Sequence, residues 1–558
     1  MRHSSDASTK KFPNYVCWGL FLVIATVGFW ACQDIGLGWD EGHERLTLNH
    51  KLKAIEGLLA GDTTAYQALL AYGDRYYGIG FHLPAFLLGE LLQIIIPTAA
   101  NGPKLILAHI SVWLCFLGSG YLVKCVLQRI TQNTLIAHTG MATYLLWPYV
   151  LGHGLMNIKD TPFLFAWLLC TYLALRCFFE NANAHRSSGH PSYKSLFLLA
   201  IATSWLLSIR ISGILIFIEY GCLLICAFAV QFANGKFLIT RENVKAILGR
   251  LFFFGLICLP TFIALYPISW HDPLEILNAI SYMSHHPWSG TTLTAGRFIA
   301  PGQQVDFYLM VWLLAKTPLI IITGIAAIPL AFFLQWRVST LDQLTNKSIL
   351  AQWIGLVISV IAILAALILH RVGLYNELRQ ILFLFPLIFI VGISSLYFIS
   401  KKVCFIGMLF SSAFFLWDNF TLYPYNYTYL NEVARLRPAI QYFEADYFGF
   451  SAGRSARWIN DHPQEAFNKC IYAYPTHLIA NELNDANKKC LIDSLGNAYN
   501  LKQDVPSLLY ITQRNLINFP IPADCRLIHS EERSLPIAKN PLIMGRLFSG
   551  GFKHEVQL

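Results

Sequence analysis

The chain has 558 residues, of which 55% are hydrophobic, 14% aromatic and only 13% charged, where soluble domains carry about a quarter charged residues. That excludes an ordinary soluble globular protein and points to a polytopic membrane protein. The formal charge of +9 is spread through short loops instead of clustering with aromatics on one face, which excludes a nucleic-acid-binding surface.

Residues 1–14 form a tail with Arg2, Lys10 and Lys11 ahead of an apolar run from Val16 to Cys32. The run is long and no small-residue cleavage site follows, so it reads as a retained anchor and not a signal peptide. Twelve apolar segments suited to crossing about 30 Å of hydrocarbon lie near residues 15–33, 79–97, 105–124, 134–151, 161–179, 195–209, 211–233, 250–268, 309–335, 349–369, 380–398 and 403–420. The second contains Gly80, His82, Pro84, Gly89 and Glu90, and is read as interfacial or re-entrant. About eleven crossings remain.

Under that assignment Lys124, Arg129, Arg176, Lys236, Arg241, Lys245, Arg250, Arg337, Lys401 and Lys402 gather on one face, cytoplasmic by the positive-inside rule. The other face receives Asp40 and Glu41, the Asn157–Asp160 turn, the loop 269–306 and the tail. From Thr421 onward the apolar segments stop. An amphipathic stretch at Ala452–Asn460 and short apolar runs at Ile471–Tyr474, Leu491–Ile492, Ser507–Thr512 and Leu527–Ile528 predict a small α/β domain. The predicted fold is therefore mainly α: a polytopic helical membrane protein of about 11 spans plus interfacial helices, with an α/β extramembrane domain at its C-terminus. Its parts are a cytoplasmic tail 1–14, a transmembrane domain 15–420 with an outer loop 34–104, and an extracytoplasmic domain 421–558. Ten of the thirteen cysteines lie in or beside apolar segments and read as small hydrophobes. Cys470 and Cys490 in the tail can pair if that compartment is oxidising.

Asp40 and Glu41 follow the first span, where acid is costly and tends to mark function; a helix cap is the alternative for Asp40, with Glu41 in the favourable first turn. His153, Lys159 and Asp160 share the cation-poor face, Asp160 with the same capping alternative. Arg210 divides two apolar stretches with no acid nearby in sequence, either to bind phosphate or to snorkel. Arg379 either binds an anion or pairs with Glu377, and Lys316 in Lys316-Thr317-Pro318 either reaches a lipid phosphate or snorkels. His43 and His271 are candidates for acceptor or loop contacts. Neither His271 nor the His285-His286 pair has the HExxH spacing of a zinc helix. No Walker loop, dinucleotide fingerprint or Ser-His-Asp order is present, so an enzyme working on this face would draw on a lipid-carried donor.

With these residues in view, the chain resembles the protein O-mannosyltransferase-like and aminoarabinose-transferase-like glycosyltransferases of the membrane C-type superfamily. The matching features, in order, are Asp40-Glu41, His82-Leu83-Pro84, the Asp160 turn, Lys316-Thr317-Pro318, Arg379 ahead of Leu382-Phe383-Leu384-Phe385-Pro386, and Tyr423-Pro424-Tyr425 with Tyr429-Leu430-Asn431. The sequence departs from the pattern in having Leu83-Pro84 for a pair of prolines, and Asn157 and Lys159 where an arginine is common. The tail has no repeat module of the eukaryotic kind, so a bacterial envelope enzyme is the closer analogy.

The resemblance implies transfer of a sugar from a polyprenyl-phosphate donor to an acceptor on protein, lipid A or envelope glycan, outside the cytoplasmic face of a bacterial inner membrane. Asp40 is the expected base of an inverting displacement, Glu41 orients the acceptor, and Asp160 positions acceptor or cations. Lys159, Arg210, Lys316 and Arg379 are expected at the donor phosphate. No cofactor is expected, no motif supports a divalent metal, and no nucleic acid is involved. The competing class is a transporter or flippase of a lipid-linked intermediate, which also needs cations on the outer face.

Overall fold

The computed structural model describes residues 12–95, 104–183, 191–233, 240–341, 344–474, 476–493, 506–516, 521 and 525–551. In their described residues all twelve apolar segments fall in helices. In chain order the helices are α1 (Phe12–Asp34), α2 (Trp39–Leu59), α3 (Thr64–Ala71), α4 (His82–Ile95), α5 (Lys104–Thr131), α6 (Thr134–Leu146), α7 (Pro148–Met156), α8 (Asp160–Asn183) and α9 (Tyr193–Ile209). They continue with α10 (Ile216–Ala233), α11 (Arg241–Leu265), α12 (Glu275–Ser284), α13 (Val305–Lys316), α14 (Leu319–Ala326), α15 (Ile328–Leu341), α16 (Leu344–Leu369), α17 (Phe385–Ile399) and α18 (Lys401–Leu422).

Seven of these helical segments are long and apolar enough to cross a membrane among the described residues, or up to nine if each bent pair is one span. The expected figure of about eleven exceeds this for two reasons. Pro148 begins a new helix within the run 134–151, because proline lacks the N–H that would continue the ladder, and the run 195–209 forms only the 17-residue α9. Pro318 ends α13 inside the run 309–335, which survives as the bent pair α14–α15. The chain is an integral, multi-pass membrane protein. Large side chains such as Phe252, Phe410 and Ile225 face outward from their helices, where lipid takes the place of a core.

Between α1 and α2 the chain turns by 83°. Helix α2 carries charged residues along its length, among them the buried Glu41, Glu44 and Lys51. Gly78 and Gly80 bring the start of α4 against the end of α9. A Cβ on Gly78 would lie 2.0 Å from the Ser208 carbonyl oxygen, and the Gly80 N–H donates to that oxygen at 3.0 Å. This seam sets α4 beside Arg210.

A hairpin of β1 (Thr292–Thr294) and β2 (Arg297–Ile299) lies in the loop 269–306. The tail forms a five-stranded sheet of β3 (Cys470–Ala473), β4 (Leu491–Asp493), β5 (Pro506–Thr512), β6 (Arg526–Arg533) and β7 (Leu542–Gly551), in the order β4-β3-β5-β7-β6. Strands β3, β4 and β5 are parallel, and β7 runs antiparallel to β5 and β6. One face is covered by α19 (Phe450–Asp461), whose Ala452, Ala456 and Ile459 pack on Ile471, Leu508 and Leu547. A disulfide joins Cys470 to Cys490. The segment between α18 and α19 belongs to the main core: Tyr425, Tyr427 and Tyr429 are buried in it, and Arg435 grips the Asp418 carboxylate with two hydrogen bonds of 2.8 Å.

Candidate active site

The acidic pair sits in the first turn of α2, whose N-cap is Gly38. Consecutive helical residues diverge by about 100°, so the two carboxylates face different surroundings. Glu41 turns inward: its Oε1 accepts from the Gly38 N–H at 2.8 Å and lies 3.1 Å from His109 Nε2. Its Oε2 is buried and has no hydrogen-bond partner among the described residues. Capping therefore falls to Glu41, not to Asp40. Asp40 faces a polar cavity of about 260 Å³, and its Oδ2 accepts from Arg379.

Arg379 is aimed by a turn in which Asn376 and Glu377 have φ of 52° and 62°. Two successive non-glycine residues in the left-handed region are costly, and such strain persists only where neighbours hold it. The Glu377 carbonyl accepts from Tyr308 at 2.8 Å, and the Asn376 N–H donates to Thr292 at 3.1 Å. Lys316 Nζ lies 2.8 Å from the Glu377 carboxylate, both side chains fully buried. Lys316 thus anchors the turn that carries Arg379. Of the two alternatives for Arg379, the pair with Glu377 does not form: Glu377 pairs with Lys316, and Arg379 with Asp40.

Asp160 is likewise not a cap. Asn157 Oδ1 accepts from the backbone N–H of Lys159 at 3.2 Å and of Asp160 at 2.8 Å, which leaves the Asp160 carboxylate for Arg210 and for Asn157 Nδ2 at 3.0 Å. The same Asn157 amide donates to His153 Nδ1 at 2.8 Å, and His153 Nε2 lies 3.2 Å from the Tyr447 hydroxyl. Burial, then Lys316 and Arg379, push the His153 imidazole well below its usual pKa. A neutral His153 with one acceptor and one donor nitrogen fits both partners.

Lys159 reaches Glu44 at 2.6 Å and lies 3.4 Å from the centre of the Tyr77 ring. Burial opposes both charges of this pair, but mutual attraction wins. Lys159 is held above its usual pKa by Glu44, and Glu44 is held below its own by Lys159 and by His82 at 3.0 Å. Both remain ionised. Glu44 also separates the Asp40 cavity from a second one of about 300 Å³ between α2 and α4, which Glu41 and His82 line.

His43 is exposed and lines the Asp40 cavity. His271 is exposed in its loop, and its backbone N–H donates to Tyr66; the loop residues that reach the cavity are His286 and Trp288. Trp288 stacks on Tyr375 with ring centres 4.5 Å apart, and Arg514 from the tail lies 4.8 Å from Trp288. Arg514 is held by Glu444 at 3.0 Å and Asn376 at 3.0 Å. Glu44, Asp74, Trp288, Tyr375 and Arg514 are further residues of the site, brought to the cavity by the fold. Among the described residues no group of three or more His, Cys, Asp or Glu side chains is arranged to hold a metal ion.

Beside the polar cavity lies an apolar one of about 310 Å³, with Ile211, Leu215, Ile280, Met283 and Leu374 in its wall and Arg210 among them. Tyr77, His286 and Tyr375 belong to both cavities. A polar chamber and an apolar one thus share a wall, with Lys159, Arg210 and Arg379 around the junction.

No protein-family model and no curated protein matches the sequence. Among solved structures, the chain is similar to ArnT from Cupriavidus metallidurans. In its apo state the identity is 12%, over 98% of this chain and 98% of that one, with a TM-score of 0.44. Bound to undecaprenyl phosphate it gives 12% identity over 95% of this chain and 97% of that one, with a TM-score of 0.42. At that level of agreement the function is read from the site itself.

Proposed function

We propose that the protein is a membrane glycosyltransferase that moves a sugar from a polyprenyl-phosphate donor to an acceptor hydroxyl or similar group. The observation that carries this reading is the pair of adjoining cavities, one polar around Asp40 and one apolar around Arg210. Their shape suits a substrate with a polar sugar, a phosphate and a long apolar tail.

In the proposed step the tail lies in the apolar cavity, the phosphate near Arg210 and Lys159, and the sugar between Trp288, Tyr375 and Asp40. Arg379 holds Asp40 Oδ2, and among the described residues no hydrogen bond reaches Oδ1. Asp40 Oδ1 takes the acceptor proton as the acceptor oxygen bonds to the anomeric carbon from the opposite side. The bond from that carbon to the phosphate oxygen breaks, and its electron pair leaves with the polyprenyl phosphate. Cations there favour the transition state, in which negative charge grows on the leaving oxygen. Glu41 serves by fixing the first turn of α2, and Asp160 by holding Arg210.

The acceptor is a protein, lipid A or envelope glycan. The enzyme belongs to a bacterial plasma membrane, with its N-terminus cytoplasmic and the site and tail on the opposite face. The test is sugar transfer by purified protein in detergent, without any gradient, from a polyprenyl-phosphate sugar. Release of polyprenyl phosphate with formation of the glycosylated product supports an enzyme. Movement of the intact lipid across vesicles without such release would instead make the protein a flippase.

A further inference from the structure

Helix α8 begins at Asp160 and α9 ends beside Arg210, both at the candidate active site. At 1.5 Å per residue, the Phe178 end of α8 lies roughly 27 Å from Asp160, at the opposite membrane face. There α11 packs on α9 but only slightly on α10, and a cavity of about 370 Å³ opens between them. Its wall is almost wholly apolar, with Leu196, Leu199, Leu224 and Leu251 among its residues. Phe217 against Phe254, with ring centres 6.4 Å apart, closes it toward the active-site side. In this wall Gly221 faces open space, since a Cβ there would meet nothing within 4 Å.

Arg250 stands at the other end, nine residues into α11. Its Nε donates to the Pro191 carbonyl at 2.9 Å, one terminal nitrogen donates to the Ala246 carbonyl at 3.0 Å, and the Tyr193 ring centre lies 5.3 Å from the guanidinium. No carboxylate pairs with it among the described residues; the nearby Glu242 pairs with Lys245 at 3.6 Å. An ionisable side chain inside a spanning helix needs a partner or a task. Snorkelling alone would account for the cation, but not for the apolar slot that leads to it.

We propose that this cavity binds one anionic phospholipid from the leaflet opposite the active site, its acyl chain along Gly221 and its phosphate on Arg250. The site is independent of sugar transfer, so its failure would leave the function proposed above untouched. Native mass spectrometry of the full-length protein, titrated with phosphatidylglycerol or with phosphatidylethanolamine, tests it. The wild type should retain one phosphatidylglycerol with about fivefold preference, the scale of one arginine at a charged lipid surface. Arg250→Gln should abolish the preference, and Gly221→Leu, which fills the slot without touching charge, should reduce binding of both lipids. Equal binding of the two lipids by the wild type would overturn the proposal, as would unchanged behaviour of both variants. Preferential uptake of polyprenyl phosphate over phosphatidylglycerol would also overturn the phospholipid assignment.

Discussion

Arg379 donates to the carboxylate of Asp40 across 339 residues of sequence, and so joins the first turn of α2 to the strained turn ahead of α17. The contact fixes one oxygen of Asp40 in the wall of the polar cavity. Arg379→Ala should free that carboxylate to rotate and cut transfer by about 100-fold, the cost of a misplaced group, while Arg379→Lys should recover part of it. Turnover measured alongside thermal unfolding in detergent separates this from loss of fold. An alanine variant with full activity would show that the pair has no positioning role.

Arg210 and Asp160 form a second pair, with 13% and 2% of their side chains exposed. Arg210→Gln alone leaves a buried carboxylate without its counter-charge and should destabilise the protein by roughly 3–5 kcal/mol. The double variant with Asp160→Asn should regain much of that stability. It should still show a donor KM raised about tenfold, with the acceptor KM little changed. Equal changes in both constants would mean that Arg210 is structural.

The tail reaches the site through Arg514, which lies against Trp288 in the cavity wall. Removing either side chain should weaken sugar binding by about 1 kcal/mol, seen as a roughly fivefold rise in donor KM with kcat nearly constant. A fall in kcat at unchanged KM would place them at the reacting atoms instead.

Much of the architecture was legible in sequence because apolar length and period are local properties. In their described residues all twelve segments fall in helices, and the tail runs at Ile471, Leu491, Ser507 and Leu527 fall in β3, β4, β5 and β6. Strand β7 was missed because Gly545, Ser549, Gly550 and Gly551 interrupt its apolar pattern. Asp40, Lys159, Arg210 and Arg379 stood out as charges at apolar boundaries, and all four line the two adjoining cavities. Which of these charges pair with which acids did not stand out. Glu44 lies in a helix with charges all round, where one more acid carries no signal, and Lys316–Glu377 is a pairing that only the fold creates.

Asp446 gives the tail a pH dependence. It is buried beneath Tyr427, its carboxylate accepts from the Phe450 and Ser451 backbone N–H groups at 3.0 Å, and burial nonetheless pushes its pKa up to about 6. A carboxyl whose pKa is higher folded than unfolded binds the proton more tightly in the native state. Its contribution is therefore full below the ordinary value near 3.8 and is lost as pH rises through about 6. Thermal unfolding of the wild type should show this decline, and Asp446→Asn should flatten it between pH 4 and 6. An identical slope in the variant would assign the dependence to another group.

The account rests on Asp40 as the base, and Asp40→Asn tests it most directly because it preserves shape while removing proton affinity. In purified protein that keeps wild-type unfolding behaviour and donor binding, turnover from a polyprenyl-phosphate sugar should fall by about 100- to 10,000-fold, the range of general base catalysis. Turnover close to wild type would contradict it.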